Sequence, residues 1–188
     1  MDVLKSYVHQ AGYTVTLENA SVYPVRECDD GPRRMDIVGQ DVTSATPALC
    51  IDVSIIDATL SRHFQRADGG SAVRPRYAAG VRAKEKHERY KDTPPGYRLV
   101  PFVLEAHGAL GAEAVECIKL LAKRIVARRA GGRRTFRAPV VLEALIKNEL
   151  KQKLSIALQR VQAESLRQGA LFMSGRAARA QRVVRVGS

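Results

Sequence analysis

Two short apolar segments, each interrupted by one aspartate, constrain this chain most. The first reads Arg34-Met35-Asp36-Ile37-Val38-Gly39, and the second reads Leu49-Cys50-Ile51-Asp52-Val53-Ser54-Ile55-Ile56. Apolar runs of this length that are rich in β-branched residues predict two adjacent strands of a sheet. A carboxylate inside such a strand is costly unless its charge is compensated. The pair therefore predicts a shared cation such as Mg²⁺, which prefers oxygen ligands.

The rest of the chain predicts a mixed α/β fold. Helical periodicity is found over 3–10, 78–91 and 111–128 and in a long helix from Pro139 to Gly169, and further strands are predicted over 13–17 and 98–105. Pro101 places the last strand near an edge of the sheet or at a bulge. Residues 62–77 show no periodicity and predict a mobile loop. We expect a domain over 1–130, a basic amphipathic helix extension over 131–173 and a disordered basic tail over 174–188.

Charge is distributed very unevenly. The 188 residues carry a formal net charge of +12, yet residues 119–188 hold 17 Lys and Arg against 3 Asp and Glu, a net charge of +14. Such an excess predicts a polyanionic partner, and DNA is the first expectation, with RNA left open. Aromatic residues make up only 5% of the chain. Base stacking is therefore disfavoured, and we expect contacts to the backbone with little dependence on base sequence.

Several classes of protein are disfavoured by the sequence. The three cysteines, Cys28, Cys50 and Cys117, are far apart and form no disulfide or zinc pattern. There is no signal-like N-terminal segment and no apolar window approaching the roughly 20 residues of a membrane span. We expect an intracellular protein, nuclear or cytoplasmic, that is not secreted and does not associate with membranes.

Four pieces of the sequence together carry a family resemblance. They are residues 33–38, 51–54, 85–90 and 100–108. The first piece contains Asp36 on one predicted strand, and the second contains Asp52-Val53-Ser54 on the next strand. Over residues 13–127 the chain resembles the PD-(D/E)XK, or restriction-endonuclease-like, nuclease superfamily. It is most similar to nuclease-like domains that accompany reverse transcriptases in retroelements of protists and algae. The resemblance implies a restriction-endonuclease-like mixed sheet flanked by helices, hydrolysis of DNA phosphodiester bonds with Mg²⁺ or Mn²⁺, and a reverse transcriptase partner or a polyprotein context.

The resemblance also assigns roles to individual residues. Asp36 and Asp52 correspond to metal ligands, and the carbonyl of Val53 completes the metal site. Ser54 stands where the superfamily has lysine, and a hydroxyl cannot supply the same positive charge. Lys86 is the candidate replacement, because it shares one helix face with Tyr90 and small residues that should face the sheet.

Supporting residues and alternatives remain open at this stage. Glu18 resembles an additional acidic residue of the superfamily, and Glu105 is a candidate partner of the metal ligands. The candidate nucleic-acid contacts are arginines: Arg33, Arg34, Arg128, Arg129, Arg133 and Arg134. Because Ser54 replaces lysine, the alternative is a nuclease-fold module that binds nucleic acid without cleaving it. The long C-terminal helix could also serve dimerisation, which would make the protein a homodimer, or bind a membrane surface.

Overall fold

The computed structural model describes residues 1–19, 22–23, 34–41, 46–64, 69–131 and 138–186, the last 18 of these by their backbone alone. The strands are β1 (Tyr13–Asn19), β2 (Met35–Asp41), β3 (Ala48–Ile56) and β4 (Tyr97–Glu105). The helices are α1 (Asp2–Gln10), α2 (Ser61–Phe64), α3 (Gly70–Val73), α4 (Tyr77–Arg89), α5 (Ala112–Ala130) and α6 (Pro139–Val186). The predicted mixed α/β class is confirmed, as is the adjacency of the two aspartate-containing strands.

The four strands form one mixed sheet in the order β1-β2-β3-β4. The first three strands are antiparallel to their neighbours, and β4 is parallel to β3. Pro101 lies in β4, which is an edge strand as the sequence predicts. An edge strand tolerates proline because it has a side that needs no ladder hydrogen bond.

Helices cover both faces of the sheet, and the alternation of side chains along the strands assigns each face to its helices. Ile37, Ile51 and Phe102 pack on one face against α1, α5 and α6. Val38 and Cys50 lie on the other face with Tyr90 at the end of α4. We call the first the α5 face and the second the α4 face. The α5 face carries the larger core.

Two local features hold the α5 face together. Gly39 of β2 allows α1 to approach the sheet, since a Cβ there would lie 2.9 Å from Val8 Cγ1. Arg124 of α5 bridges to the sheet through an ion pair with Asp41 at 2.8 Å, and its guanidinium lies 4.3 Å from the ring centroid of Tyr13. Arginine combines a planar fork of donors with a flat stacking surface, so one side chain serves both contacts.

The first half of α6 belongs to the same core as the sheet. Ile146 and Leu150 are buried in the main cluster, and Leu158 is buried further along the helix. The helix predicted as amphipathic therefore packs on the domain along Ile146, Leu150 and Leu158. None of the helices in the described residues is long and apolar enough to cross a membrane.

Two segments differ from their predictions. Residues 62–77, predicted as a mobile loop, contain the short helices α2 and α3 and the start of α4. A four-residue helix is too short to produce a periodic apolar pattern. Helix α6 continues past Gly169, the predicted stop, to Val186, so the backbone of 174–186 is helical where a disordered tail is predicted. Ala and Arg, frequent there, are among the best helix formers.

We predict that Leu150→Ala lowers the free energy of unfolding by about 2–5 kcal/mol, because it opens a cavity in the core. Leu150 is fully buried. Leu166→Ala is the matched control on the same helix, at a side chain that is 75% exposed, and should change stability by less than about 0.5 kcal/mol. Urea unfolding measures both. Equal effects of the two substitutions would show that α6 does not pack on the domain.

Candidate active site

Asp36 and Asp52 occupy facing positions on neighbouring strands. The pairing of Ile37 with Ile51 fixes the register of β2 against β3, and the next step along this antiparallel pair brings Asp36 opposite Asp52. Directly opposed residues of such a pair point to the same face of the sheet. Because Ile51 points to the α5 face, Asp52 points to the α4 face, where Lys86 pairs with it. The charges of Asp52 and Lys86 both act on the Asp36 carboxyl, so Asp36 lies near this pair.

Asp36 is held by a backbone hydrogen bond and is electrostatically strained. The amide of Val53 donates to Asp36 Oδ2 at 2.6 Å. Burial raises the pKa of the Asp36 carboxyl; the Val53 hydrogen bond opposes this shift and the neighbouring Asp52 charge adds to it, while Lys86 lowers and Glu18 raises the pKa by smaller amounts. Burial, more than any neighbouring charge, therefore disfavours the ionised form of Asp36.

Asp52 is paired with Lys86, the lysine that the sequence predicts for the site. Lys86 Nζ of α4 forms an ion pair with Asp52 Oδ2, and the two residues are only 7% and 5% exposed. Apart from this ion pair, Asp52 Oδ2 has no hydrogen-bond partner among the described residues. Helix α4 thus directs an ammonium group at the same strand position that faces Asp36, as its periodicity predicts.

Tyr90 is a neighbour of the site for which the sequence predicted no role. Its hydroxyl donates to Asp52 Oδ1 and to the carbonyl of Arg34, both at 3.4 Å. Its ring packs on that of Tyr23 with 5.0 Å between centroids. Burial, followed by the Asp52 charge, raises the pKa of Tyr90 to about 12, so the hydroxyl stays protonated. The four-residue spacing from Lys86 to Tyr90 places both on one helix face and was the signal available for it.

Val53 and Ser54, which follow Asp52 in β3, present different groups to the site. Val53 contacts Asp36 through its amide, whereas the sequence predicted a role for its carbonyl. Ser54 lies two residues after Asp52 on the half-exposed end of β3, and strand alternation puts it on the α4 face with Asp52. Its hydroxyl is the group that replaces the lysine of the signature.

Glu18 and Glu105 fall in different places. The register of β1 against β2 puts Glu18 beside Asp36, with a left-handed backbone φ of 49° that is uncommon for a residue other than glycine. Glu105 accepts a hydrogen bond from the Ala79 amide at 3.2 Å. Since Ala79 is the third residue of α4, this buried carboxylate caps the helix that carries Lys86.

The predicted arginine contacts do not gather at the site. Arg34 precedes Asp36 and is exposed. Arg128 donates to the carbonyls of His9 and Gln10, at the end of α1, and Arg129 lies beside it, so both belong to the α5 side of the sheet. The three other predicted arginines, Arg33, Arg133 and Arg134, lie outside the described residues.

The donor set fits a hard divalent cation in part. Asp36 and Asp52 supply neighbouring carboxylate oxygens, and since burial is the main cause of the raised pKa of Asp36, a cation beside it would favour its ionised form. Mg²⁺ binds through one or two carboxylates and keeps several waters. No group of three or more His, Cys, Asp and Glu side chains in the part of the chain that the structure describes is arranged to hold a metal ion. Two carboxylates are thus the protein's main contribution.

Comparisons with known proteins add no family assignment. No protein-family model matches the chain, and no curated protein matches it.

We predict that Asp36→Asn stabilises the protein at pH 7. The raised pKa means that the folded state binds the Asp36 proton more tightly than the unfolded chain does. Ionised Asp36 therefore lowers stability at neutral pH, and this penalty disappears as the pH falls below the ordinary aspartate value of 3.8. Urea unfolding should show a gain at pH 7 that is absent at pH 3.

Asp57→Asn is the control of opposite sign. Hydrogen bonds from Thr59 lower the pKa of the exposed Asp57 carboxyl, so its ionised form favours the folded state at neutral pH. This variant should lose stability at pH 7. An Asp36→Asn protein less stable than the wild type at pH 7 would contradict the strained carboxylate pair.

Proposed function

We propose that the protein is a Mg²⁺-dependent DNA endonuclease with a restriction-endonuclease-like fold, descended from a nuclease domain of a reverse-transcriptase-encoding element. The observation that carries the proposal is the proximity of Asp36 to the ion pair of Asp52 with Lys86. Two carboxylates and an ammonium group are a sufficient set for metal-assisted phosphodiester hydrolysis. A DNA substrate, a reverse transcriptase partner and a nuclear or cytoplasmic location are parts of this proposal.

Each residue of the set has a distinct task in the proposed reaction. Asp36 and Asp52 would hold the ion, which, when bound, supplies positive charge to a phosphate oxygen and acidifies a water. Lys86 would orient the attacking water and stabilise negative charge that develops on the phosphate. Tyr90 would keep Asp52 in position through its hydroxyl. Glu105 would act on Lys86 only indirectly, through the N terminus of α4.

The alternative is a nucleic-acid-binding module without catalysis, and one observation favours it. Lys86 forms an ion pair with Asp52, while the Val53 amide occupies an oxygen of Asp36. A site closed in this way could persist as a structural remnant of a nuclease. The two proposals differ in whether a divalent ion displaces Lys86 from Asp52.

We predict that the protein nicks supercoiled plasmid DNA in Mg²⁺ or Mn²⁺ and that Asp52→Ala abolishes the nicking. Lys86→Met should lower the rate by about 10²–10³, the loss typical of one group that stabilises transition-state charge. Asp57→Ala is the matched control and should leave the rate unchanged, because Asp57 is exposed and bonds only locally to Thr59 among the described residues. Gel analysis of nicked circles measures all three. Nicking by Asp52→Ala at the wild-type rate would rule out this site.

A second prediction uses ion binding and does not depend on cleavage. Lys86→Met removes the cation that competes for Asp52 Oδ2, so Mn²⁺ should bind several-fold more tightly than to the wild type. Asp52→Asn should weaken Mn²⁺ binding instead. Electron paramagnetic resonance of free Mn²⁺ measures both affinities. Weaker Mn²⁺ binding by Lys86→Met, together with no nicking by the wild type, would favour the non-catalytic module.

A further inference from the structure

Beyond Gln162, the described side chains of α6 no longer contact the domain. Gln162 makes the last contact among them, since its side-chain amide donates to the carbonyl of Ala106 after β4. The next six residues, 163–168, are all exposed. Six consecutive helical residues cover more than one full turn, so no side of the helix is covered there in the described chain. The backbone stays helical to Val186, and we call residues 163–186 the distal segment.

The distal segment has an unusual composition of charge. Glu164 is its only acidic residue, and no acidic residue follows in the chain. Its basic residues are all arginines: Arg167, Arg176, Arg179, Arg182 and Arg185. Earlier parts of α6 balance lysine with glutamate, as in the pairs of Lys147 with Glu143 and Lys153 with Glu149. The distal segment has no comparable supply of internal counter-charge.

Phosphate is the chemistry that this composition fits best. Arginine presents a rigid fork of donors that matches phosphate oxygens in pairs. The four arginines from 176 to 185 span about 13.5 Å of helix axis at 1.5 Å per residue, close to the roughly 12 Å width of a DNA major groove. A helix that binds a membrane surface typically adds Trp, Phe and Leu. Leu166, Leu171 and Phe172 precede the arginine cluster, the apolar residues from 176 to 186 are all Ala or Val, and the chain has no Trp.

The other arginines predicted to contact nucleic acid are less suited to this task. Arg128 is engaged with the last carbonyls of α1, and Arg129 donates to the side chain of Gln10 at 3.4 Å. These side chains already hold two helices together. The five arginines of the distal segment have a single acidic residue, Glu164, among them, so little intramolecular counter-charge competes with a phosphate partner.

We propose that the distal segment of α6 is an arm that binds the phosphate backbone of double-stranded DNA. The arm supplies most of the affinity of the chain for DNA, and it does so independently of the Asp52 site and of base sequence. This inference goes beyond the proposed nuclease activity and holds whether or not the protein cleaves its ligand.

The test compares two full-length variants that lose the same charge at different places. Arg176→Gln, Arg179→Gln, Arg182→Gln and Arg185→Gln are combined in the arm variant. The control combines Lys5→Gln, Lys119→Gln, Lys123→Gln and Lys151→Gln, all at exposed positions on the domain or the first half of α6. Binding to a 30-base-pair duplex is measured by fluorescence anisotropy in EDTA, between 50 and 200 mM salt. Circular dichroism checks that both variants keep their helix content.

The arm variant should bind at least about 100-fold more weakly at low salt, and its plot of log affinity against log salt should be shallower by about 3 to 4, since each lost phosphate contact removes about 0.9 from the slope. The control should stay within a few-fold of the wild type.

Equal weakening in both variants would show that binding follows total charge, and no weakening in the arm variant would place the contacts elsewhere. Either result overturns the proposal. So does wild-type binding to phosphatidylserine vesicles that the arm variant loses while its DNA binding is unchanged.

Discussion

The buried ion pair between Asp52 and Lys86 is the interaction that joins helix α4 to the candidate site on the sheet. Neither side chain would be tolerated alone at this depth, because an unpaired buried charge costs several kcal/mol. Together they fix α4 against β3 and set the orientation of the carboxylate that faces Asp36. Hydrophobic residues of similar volume usually stabilise a fold at least as well as such a pair. A chain that keeps both charges here is therefore better explained by a site than by packing.

Two acidic residues near this ion pair, Asp36 and Glu18, also have features that do not favour stability. Asp36 lies opposite Asp52 with a raised pKa, and Glu18, held at a positive φ, adds negative charge from the next strand. Asp52 is paired with the buried Lys86, whose charge also acts on the Asp36 carboxyl. Strained backbone and a perturbed carboxyl pKa that occur together are frequent at functional sites. Tyr90 just after α4, Tyr23 between β1 and β2, and Glu105 at the end of β4, which caps α4, support this arrangement.

The sheet also separates two tasks. Its α4 face presents the acidic site, while its α5 face carries the main core and recruits the first half of α6. Arginines on the α5 side, among them Arg124 and Arg128, hold α1, α5 and the sheet in register. The large positive charge of the C-terminal region is thus partly structural. A further part of it, five arginines, belongs to the distal segment.

The sequence by itself determined the strands with their aspartates, the amphipathic helices, the edge position of β4 and the face of α4 that carries Lys86. These follow from apolar periodicity and from proline's missing donor, which are local properties. It did not reveal α2 and α3, whose single turns are too short for a pattern, nor the continuation of α6, where helix propensity outweighs one glycine. Only the tertiary structure decided that Asp36 faces Asp52, that Tyr90 reaches the same carboxylate, and that Glu105 caps α4. Each of these contacts joins residues distant in the chain, and strand register and helix packing bring them together.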